Sequence, residues 1–144
     1  MSVTAPARRS AASEAWVLLS ELVAGQRSRK MCICSEFDLA PGQMMALKWL
    51  DPESPVPMRE LASAMACDNS NVTGIIDRLE DRGLVERRAA AHDRRVKMLV
   101  VTPAGRELRT RIKARMEEPP EPLLRLDAEE QRVLRDLLRK ALDR

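Results

Sequence analysis

Two sets of side chains in this sequence have chemistry that suits a polyanion. Residues 69–73 read Asn-Ser-Asn-Val-Thr, which concentrates amides and hydroxyls within one short stretch. Residues 78–115 hold 12 Lys or Arg against 5 Asp or Glu, and the rest of the chain carries a net charge of −4. Phosphates attract such a basic segment, and amides and hydroxyls can hydrogen bond to base edges. Together the two sets indicate a surface for a nucleic acid, although arginines that only hydrate long helices would give the same charge count.

The pattern around the polar set predicts the helix that positions it. Asp68 is a good N-cap, and apolar side chains follow at the i, i+3, i+4 and i+7 spacing of one helix face. These inner residues are Val72, Ile75, Ile76 and Leu79. The outer face then carries Asn69, Ser70, Asn71, Thr73, Gly74 and Asp77. Gly83 is expected to end the helix, because glycine is favoured just after a helix C-terminus.

Gly74 lies in the middle of the predicted helix, where glycine costs about 1 kcal/mol relative to alanine. One interpretation is that the missing side chain permits close approach of the sugar-phosphate backbone of DNA. The other is that it relieves crowding against a neighbouring helix. Both interpretations fit the sequence.

A short helix before this element and a hairpin after it complete the order of a winged helix-turn-helix. The spacing of Met58, Leu61, Ala62 and Met65 predicts the short helix. Residues 84–88 and 96–101 are two extended runs joined by a polar link, which predicts a hairpin with a long tip. The fold class is therefore mainly α with a small β-hairpin wing.

Helices are expected in the rest of the chain. A long first helix is predicted from Ala12 to about Glu36, with Gly25 as a weak point, and Pro41 fits the first position of the next helix. Thr102 and Pro103 fit the cap and first position of a helix that runs to about residue 116. The last helix opens with Asp127 and Glu130 at capping-box spacing.

Length and composition exclude several classes of protein. The 144 residues with 44% hydrophobic content indicate one soluble globular domain, and no apolar run is long enough for a membrane span or a signal peptide. Aromatic content of 2% argues against recognition of single strands by base stacking. His92 is the only histidine, and no glycine-rich phosphate loop or nucleophile elbow is present. We therefore expect a cytoplasmic protein with no enzyme activity and no cofactor.

Several short motifs occur along the chain in the order that is typical of the MarR family of bacterial transcription regulators, which this sequence therefore resembles. The similarity runs from Leu39 to about Leu142, and its most specific part is the Asp-x-Arg element of the hairpin followed by a strand that ends at Thr102 and Pro103. The matching residues are Leu61-Ala62, Asp-Asn-Ser-Asn-Val-Thr at 68–73, Ile-Asp-Arg-Leu-Glu at 76–80, Arg-Gly-Leu-Val-Glu-Arg at 82–87, Asp93-Arg94-Arg95 and Thr102-Pro103-Ala104-Gly105.

This resemblance implies a homodimer that binds double-stranded DNA at a palindromic promoter operator, with recognition helices in successive major grooves and wings in the flanking minor grooves. Arg95 matches the wing-tip arginine that enters the minor groove, and Asp93 matches the acid that braces the wing. Ser70, Asn71 and Thr73 match groove-facing positions. Gly74 departs from the family pattern, because a basic side chain is frequent there. Ala40 and Pro57 also depart from it, because they replace capping Ser or Thr.

From these residues we predict a repressor that a small-molecule effector releases from DNA. The further candidate phosphate or groove contacts are Arg78, Arg87, Arg88, Arg94 and Lys97. The predicted organisation is a flexible arm over 1–10, an N-terminal dimerisation helix over 11–36, a DNA-binding lobe over 37–102 and C-terminal dimerisation helices over 103–144. The last helix supports dimerisation directly, since Pro119, Pro120 and Pro122 separate its apolar stripe from the lobe and leave it few local partners.

Two alternatives remain at this point. Cys32 and Cys34 could sense oxidants or a soft metal, with nearby basic residues lowering the pKa of a thiol. However, residues two apart on a helix point about 200° away from each other, so both thiols would face one ligand only if the helix had ended. Cys67 is expected to be a buried structural thiol. The other alternative is a winged helix that binds protein, since this fold alone does not fix function.

Overall fold

The computed structural model describes residues 10–66 and 69–144. The expected cap Asp68 and the thiol of Cys67 lie outside the described residues, as does most of the predicted arm. The elements in chain order are α1 (Ala11–Ala24), α2 (Arg27–Glu36), α3 (Pro41–Trp49), β1 (Val56–Pro57), α4 (Met58–Ala64), α5 (Asn69–Asp81), β2 (Val85–Ala89), β3 (Lys97–Val101), α6 (Pro103–Glu117), α7 (Glu121–Leu124) and α8 (Ala128–Ala141). No helix in the described ranges is long and apolar enough to cross a membrane.

The chain divides into two compact units. The first, which we call the lobe, comprises residues 31–118, and the second comprises residues 10–30 and 119–144 of the described chain. The lobe extends beyond the predicted 37–102 at both ends. The reason is packing: Ile33 and Cys34 of α2, and Leu108 and Ile112 of α6, are buried in the same hydrophobic cluster as the helix-turn-helix.

Within the lobe, α4 and α5 pack together, α3 packs on α5, and a three-stranded antiparallel sheet has the order β1-β3-β2. Arg87 lies opposite Leu99 in the hairpin register, and Val56 pairs with Leu99 from the other side. The core is built from one face of each helix and includes Met44, Leu47, Leu61, Val72, Ile76, Leu79, Leu99 and Ile112. The described part of the chain is thus a mainly helical winged helix-turn-helix, as the sequence predicts.

Sequence signals for the helix ends are confirmed. α5 ends at Asp81, and Gly83 follows with φ of +68°, the left-handed conformation that glycine adopts most readily. The Thr102 hydroxyl accepts a hydrogen bond from the Gly105 N–H at 3.0 Å, so it caps α6. At α8, Asp127 accepts bonds from the backbone of residues 129 and 130, while the Glu130 side chain accepts one from the Asp127 N–H.

The long first helix is not continuous. α1 ends at Ala24, a turn follows at Gly25 and Gln26, and α2 begins at Arg27. Glycine is a poor helix former, so the predicted weak point is where the helix breaks. The apolar stripe of α1 is also not an inner stripe within this chain: no α1 residue is buried, and Trp16 and Val23 are each 71% exposed.

Candidate nucleic-acid interface

The outer face of α5 presents polar side chains because its other face is anchored in the core. Val72, Ile76 and Leu79 are fully buried, and Ile75 is half-buried, which fixes the rotation of the helix. Ser70, Asn71 and Thr73 are exposed, and Arg78 is exposed one turn further along. The side chain of Asn69 lies outside the described residues. The N-terminal half of α5 therefore offers amide and hydroxyl groups to a partner, and its helix dipole favours a nearby anion.

Gly74 lies on this exposed face. A Cβ placed there meets no heavy atom within 4 Å. Crowding against a neighbouring helix therefore does not explain the glycine, which removes one of the two interpretations drawn from the sequence. Gly42 of α3 is different, since a Cβ there would lie 3.1 Å from Cδ1 of Ile75, so this is the glycine at the contact between the two helices.

The wing tip, residues 90–96, is a closed turn that Asp93 shapes. The Ala90 N–H donates to the Val96 carbonyl at 2.9 Å, and the Val96 N–H donates to the Asp93 carbonyl at 3.2 Å. The Asp93 carboxylate accepts a further bond, from the Arg95 N–H at 2.9 Å. This side-chain contact within the turn leaves the Arg95 backbone ordered while its guanidinium is exposed.

Basic side chains surround the tip. Arg94, Arg95 and Lys97 are exposed, and so is His92. Arg88 is exposed on β2, where its guanidinium pairs with the neighbouring Glu86 at 2.8 Å. Exposed pairs of this kind contribute only about 0–1 kcal/mol, so a phosphate can displace Glu86 at small cost.

Arg87 has a different environment from the other candidate cations. Its Nη1 lies 2.7 Å from Oε1 of Glu80 and its Nη2 lies 2.5 Å from Oδ1 of Asp77. Partial burial opposes the charged form, but the hydrogen bonds to Asp77 and Glu80 and the charges of both outweigh it and raise the pKa of Arg87. The structure thus joins Arg87 to two carboxylates of α5. Glu80 was not among the candidate site residues predicted from the sequence.

Other arginines of the basic segment also serve the fold. Arg82 donates to the carbonyls of Asp38 at 2.7 Å and Phe37 at 3.1 Å, which fixes the end of α5 to the turn after α2. Arg109 donates to the Lys48 and Leu47 carbonyls at the end of α3. Burial lowers the pKa of Arg109, against a smaller opposing effect of the Asp51 charge. Part of the basic charge that the sequence concentrates here therefore holds helix termini together.

The two cysteines of α2 lie on different sides of the helix, as their spacing predicts. Cys32 is exposed, whereas Cys34 is 2% exposed with its Sγ 3.9 Å from Sδ of Met44. In the described ranges, no three His, Cys, Asp or Glu side chains are grouped closely enough to hold a metal ion. A joint site for Cys32 and Cys34 on one ligand is not available in this geometry.

A cavity of about 500 Å³ lies beside α5 within the lobe. Its walls come from α3, from the end of α4 and from α5, and they include Met45, Met65, Ile75, Gly74 and Arg78. This volume is in the range that small-molecule sites in proteins have. The cavity combines these apolar walls with the Arg78 guanidinium and with the polar residues Gln43, Ser70 and Asn71.

Fold and surface together define a winged helix-turn-helix protein in which the outer face of α5 and the tip of the wing are both polar and exposed. Residues 39–97 match the family model described as the MarR family. A MarR family protein from Bacillus stearothermophilus has the same fold, with a TM-score of 0.72, 27% identity and coverage of 92% of this chain and 93% of that one. Residues 39–97 thus carry a MarR family domain, and the fold is shared with a MarR family protein over most of the chain.

Two further similarities concern relatives of different kinds. The HTH-type transcriptional regulator YfiV of Bacillus subtilis is 27% identical over 95 residues, which are 66% of this chain and 59% of the relative. The chain thus spans less than two thirds of that relative's length. A mutant of S. aureus MepR bound to an oligodeoxyribonucleotide has a TM-score of 0.71 at 20% identity, with coverage of 88% of this chain and 94% of that one.

Proposed function

We propose that this protein is a transcription regulator that binds double-stranded promoter DNA as a homodimer. The observation that carries the proposal is the pairing of two exposed surfaces on one lobe, namely the polar face of α5 and the arginines of the wing tip. Ser70, Asn71 and Thr73 would read the major groove, where amides and hydroxyls can pair with base edges. The structural relative MepR binds an oligodeoxyribonucleotide, which supports the same role here.

Arg95 would enter the flanking minor groove. A narrow minor groove concentrates negative potential and attracts an arginine, and the Asp93 turn holds the Arg95 backbone in place. Arg78, Arg88, Arg94 and Lys97 would contact phosphates or groove edges around these two anchors. A regulator of this kind acts where the chromosome is, so we place it in the cytoplasm as a binding protein with no catalytic role.

The second compact unit supports the homodimer. α1 and α8 have no buried residue within this chain, and large apolar side chains on both helices are exposed. A groove of about 480 Å³ on this unit is lined by leucines of α7 and α8 and by those between them. Exposed apolar surface of this extent is typical of a protein interface. A second copy of the chain would cover it and would place a second lobe for a palindromic operator.

Repression by occupying the promoter, with release by a small-molecule effector, completes the proposal. An effector that prefers the state whose lobes no longer match the grooves would release DNA. The cavity beside α5 is large enough for such a ligand. In vitro transcription from the protein's own promoter tests the sign: repression is expected, and activation would contradict it.

Fluorescence polarisation with promoter fragments tests DNA binding itself. Affinity should fall steeply with salt, and Arg95→Ala should weaken binding by about 1–3 kcal/mol, because a groove contact is lost. Lys113→Ala is the matched control, since Lys113 is an exposed cation of α6 with one weak partner, Glu117, at 3.7 Å. A protein-binding module would show neither the salt dependence nor the loss with Arg95→Ala.

A further inference from the structure

We propose that Arg87 is a positioning residue that sets the wing against the recognition helix and does not contact DNA. The inference rests on the proposed function, because it concerns how the two DNA-binding surfaces of one lobe are held at a fixed separation. It assigns to Arg87 a different task from that of Arg88, Arg94, Arg95 and Lys97. Asp77 and Glu80 are its partners.

The contact joins strand to helix through three hydrogen bonds. Glu80 accepts from the Arg87 side chain with Oε1 and from the Arg87 backbone N–H with Oε2, the latter at 2.9 Å. Asp77 accepts from the other terminal nitrogen. Asp77 and Glu80 are three residues apart on α5, so they face the same direction. One guanidinium is thereby gripped at two points, which fixes its orientation as well as its distance.

The charge balance argues against a phosphate contact. One cation and two carboxylates leave a net charge of −1 at this point. The Arg87 side chain is 21% exposed, against 64% for Arg88 on the same strand. A phosphate that approached Arg87 would have to displace two carboxylates and would meet their repulsion. At Arg88 it would displace one exposed partner.

Arg87 lies at a position from which this contact can hold the whole wing. Arg87 is the middle residue of β2, and β2 pairs with β3 from residue 85 to residue 89. The two strands carry the tip with Arg95. Fixing the middle of β2 to the last turns of α5 therefore fixes the distance from Asn71 and Thr73 to Arg95. The gain from such a contact lies in geometry, since partly exposed ion pairs stabilise a fold only slightly.

The test uses Arg87→Met in the full chain and an operator recovered by selection from random duplexes. One base pair is then inserted between the bases read by α5 and the flanking minor-groove site. The insertion increases the distance between the two sites by about 3.4 Å along the duplex. Wild-type protein should lose tenfold or more in affinity for the altered duplex. Arg87→Met should bind the original operator more weakly but discriminate between the two duplexes by threefold or less, because its wing is no longer held.

The salt dependence separates positioning from contact. Log affinity falls with log salt, and each lost phosphate contact makes this fall less steep by about 0.9. Arg87→Met should leave the slope unchanged. Arg88→Met is the matched variant on the same strand: since a homodimer loses two contacts, it should reduce the steepness of the salt dependence by about 1.8 and keep the discrimination between duplexes. Asp77→Ala removes one acceptor of the Arg87 guanidinium with a smaller change and should also reduce the discrimination, so the test remains available if Arg87→Met fails to fold.

Two different results identify two different failures. A wild-type protein that selects no operator and binds DNA without salt dependence overturns the proposed function. A wild-type protein that binds its operator, with an Arg87→Met variant that loses about 1.8 in the steepness of the salt dependence and retains tenfold discrimination, overturns only the positioning role. A folded Asp77→Ala variant with unchanged discrimination would do the same.

Discussion

The lobe and the terminal segments of this chain differ in whether their apolar side chains are buried. The lobe buries its apolar side chains in one cluster that extends from Ile33 to Ile112. In the terminal segments, α1, α7 and α8 have no buried residue, and large apolar side chains such as Trp16, Val23 and Leu137 are exposed. An amphipathic helix gains little stability without a partner for its apolar face. The lobe thus covers its apolar side chains within one chain, whereas large apolar side chains of the terminal segments stay exposed in it.

The largest expected effect is on the lobe, at Gly105. A Cβ at this position would lie 2.0 Å from the Leu84 carbonyl oxygen and 2.9 Å from Cγ1 of Val101. The start of α6 and the start of the wing therefore cannot both keep their places in Gly105→Ala. We expect a loss of about 3 kcal/mol or more in the free energy of unfolding, measured by urea denaturation.

Ala104→Gly at the neighbouring position is the control, since Ala104 is exposed and its loss of propensity costs about 1 kcal/mol at most. A Gly105→Ala protein as stable as wild type would show that the lobe is less tightly packed than the structure indicates.

The next effect concerns the terminal segments, at Leu137. This side chain is 59% exposed on the apolar face of α8. Leu137→Asp should convert the dimer to a monomer, because a carboxylate would be buried in the interface, yet it should leave the lobe folded. Sedimentation equilibrium gives the mass, and circular dichroism reports the helix content of the folded chain.

Arg132→Asp places the same charge on the opposite face of α8 and should leave the dimer intact. A monomeric wild-type protein, or a dimer that tolerates Leu137→Asp, would remove the contrast between the two units.

The smallest expected effect separates stability from function at Gly74. No atom of the lobe requires glycine there, so Gly74→Ala should raise the free energy of unfolding by up to about 1 kcal/mol through helix propensity. DNA affinity should fall in the same variant if the DNA backbone approaches this position closely. Urea denaturation and fluorescence polarisation on one preparation measure the change in stability and the change in DNA affinity. Higher stability with unchanged affinity would show that DNA does not approach Gly74.

Local signals in the sequence were sufficient for most elements. The i, i+3, i+4, i+7 spacing from Val72 to Leu79, the Gly83 stop and the Asp127 capping box each depend on neighbours within one or two turns. They predict α5 and the start of α8 correctly. The break at Gly25 was less visible, because glycine weakens a helix without specifying where it stops.

Contacts between distant residues could not be predicted in the same way. Arg82 bonds to Asp38 and Phe37, which lie 44 and 45 positions earlier in the chain. Arg109 bonds to residues more than 60 positions earlier. Nothing in the composition distinguishes these arginines from Arg95, which remains exposed. The basic segment therefore predicted a DNA-binding surface as a whole, while the division between structural cations and available ones required the fold.

Selection from random duplexes tests the central claim most directly. Two lobes, each with one recognition helix and one wing, should enrich a palindromic sequence whose half-site centres lie about 10 base pairs apart. Enrichment of that kind by wild-type protein, lost in Leu137→Asp, is the predicted result. A single asymmetric site, or no enrichment above the starting pool, would contradict the account.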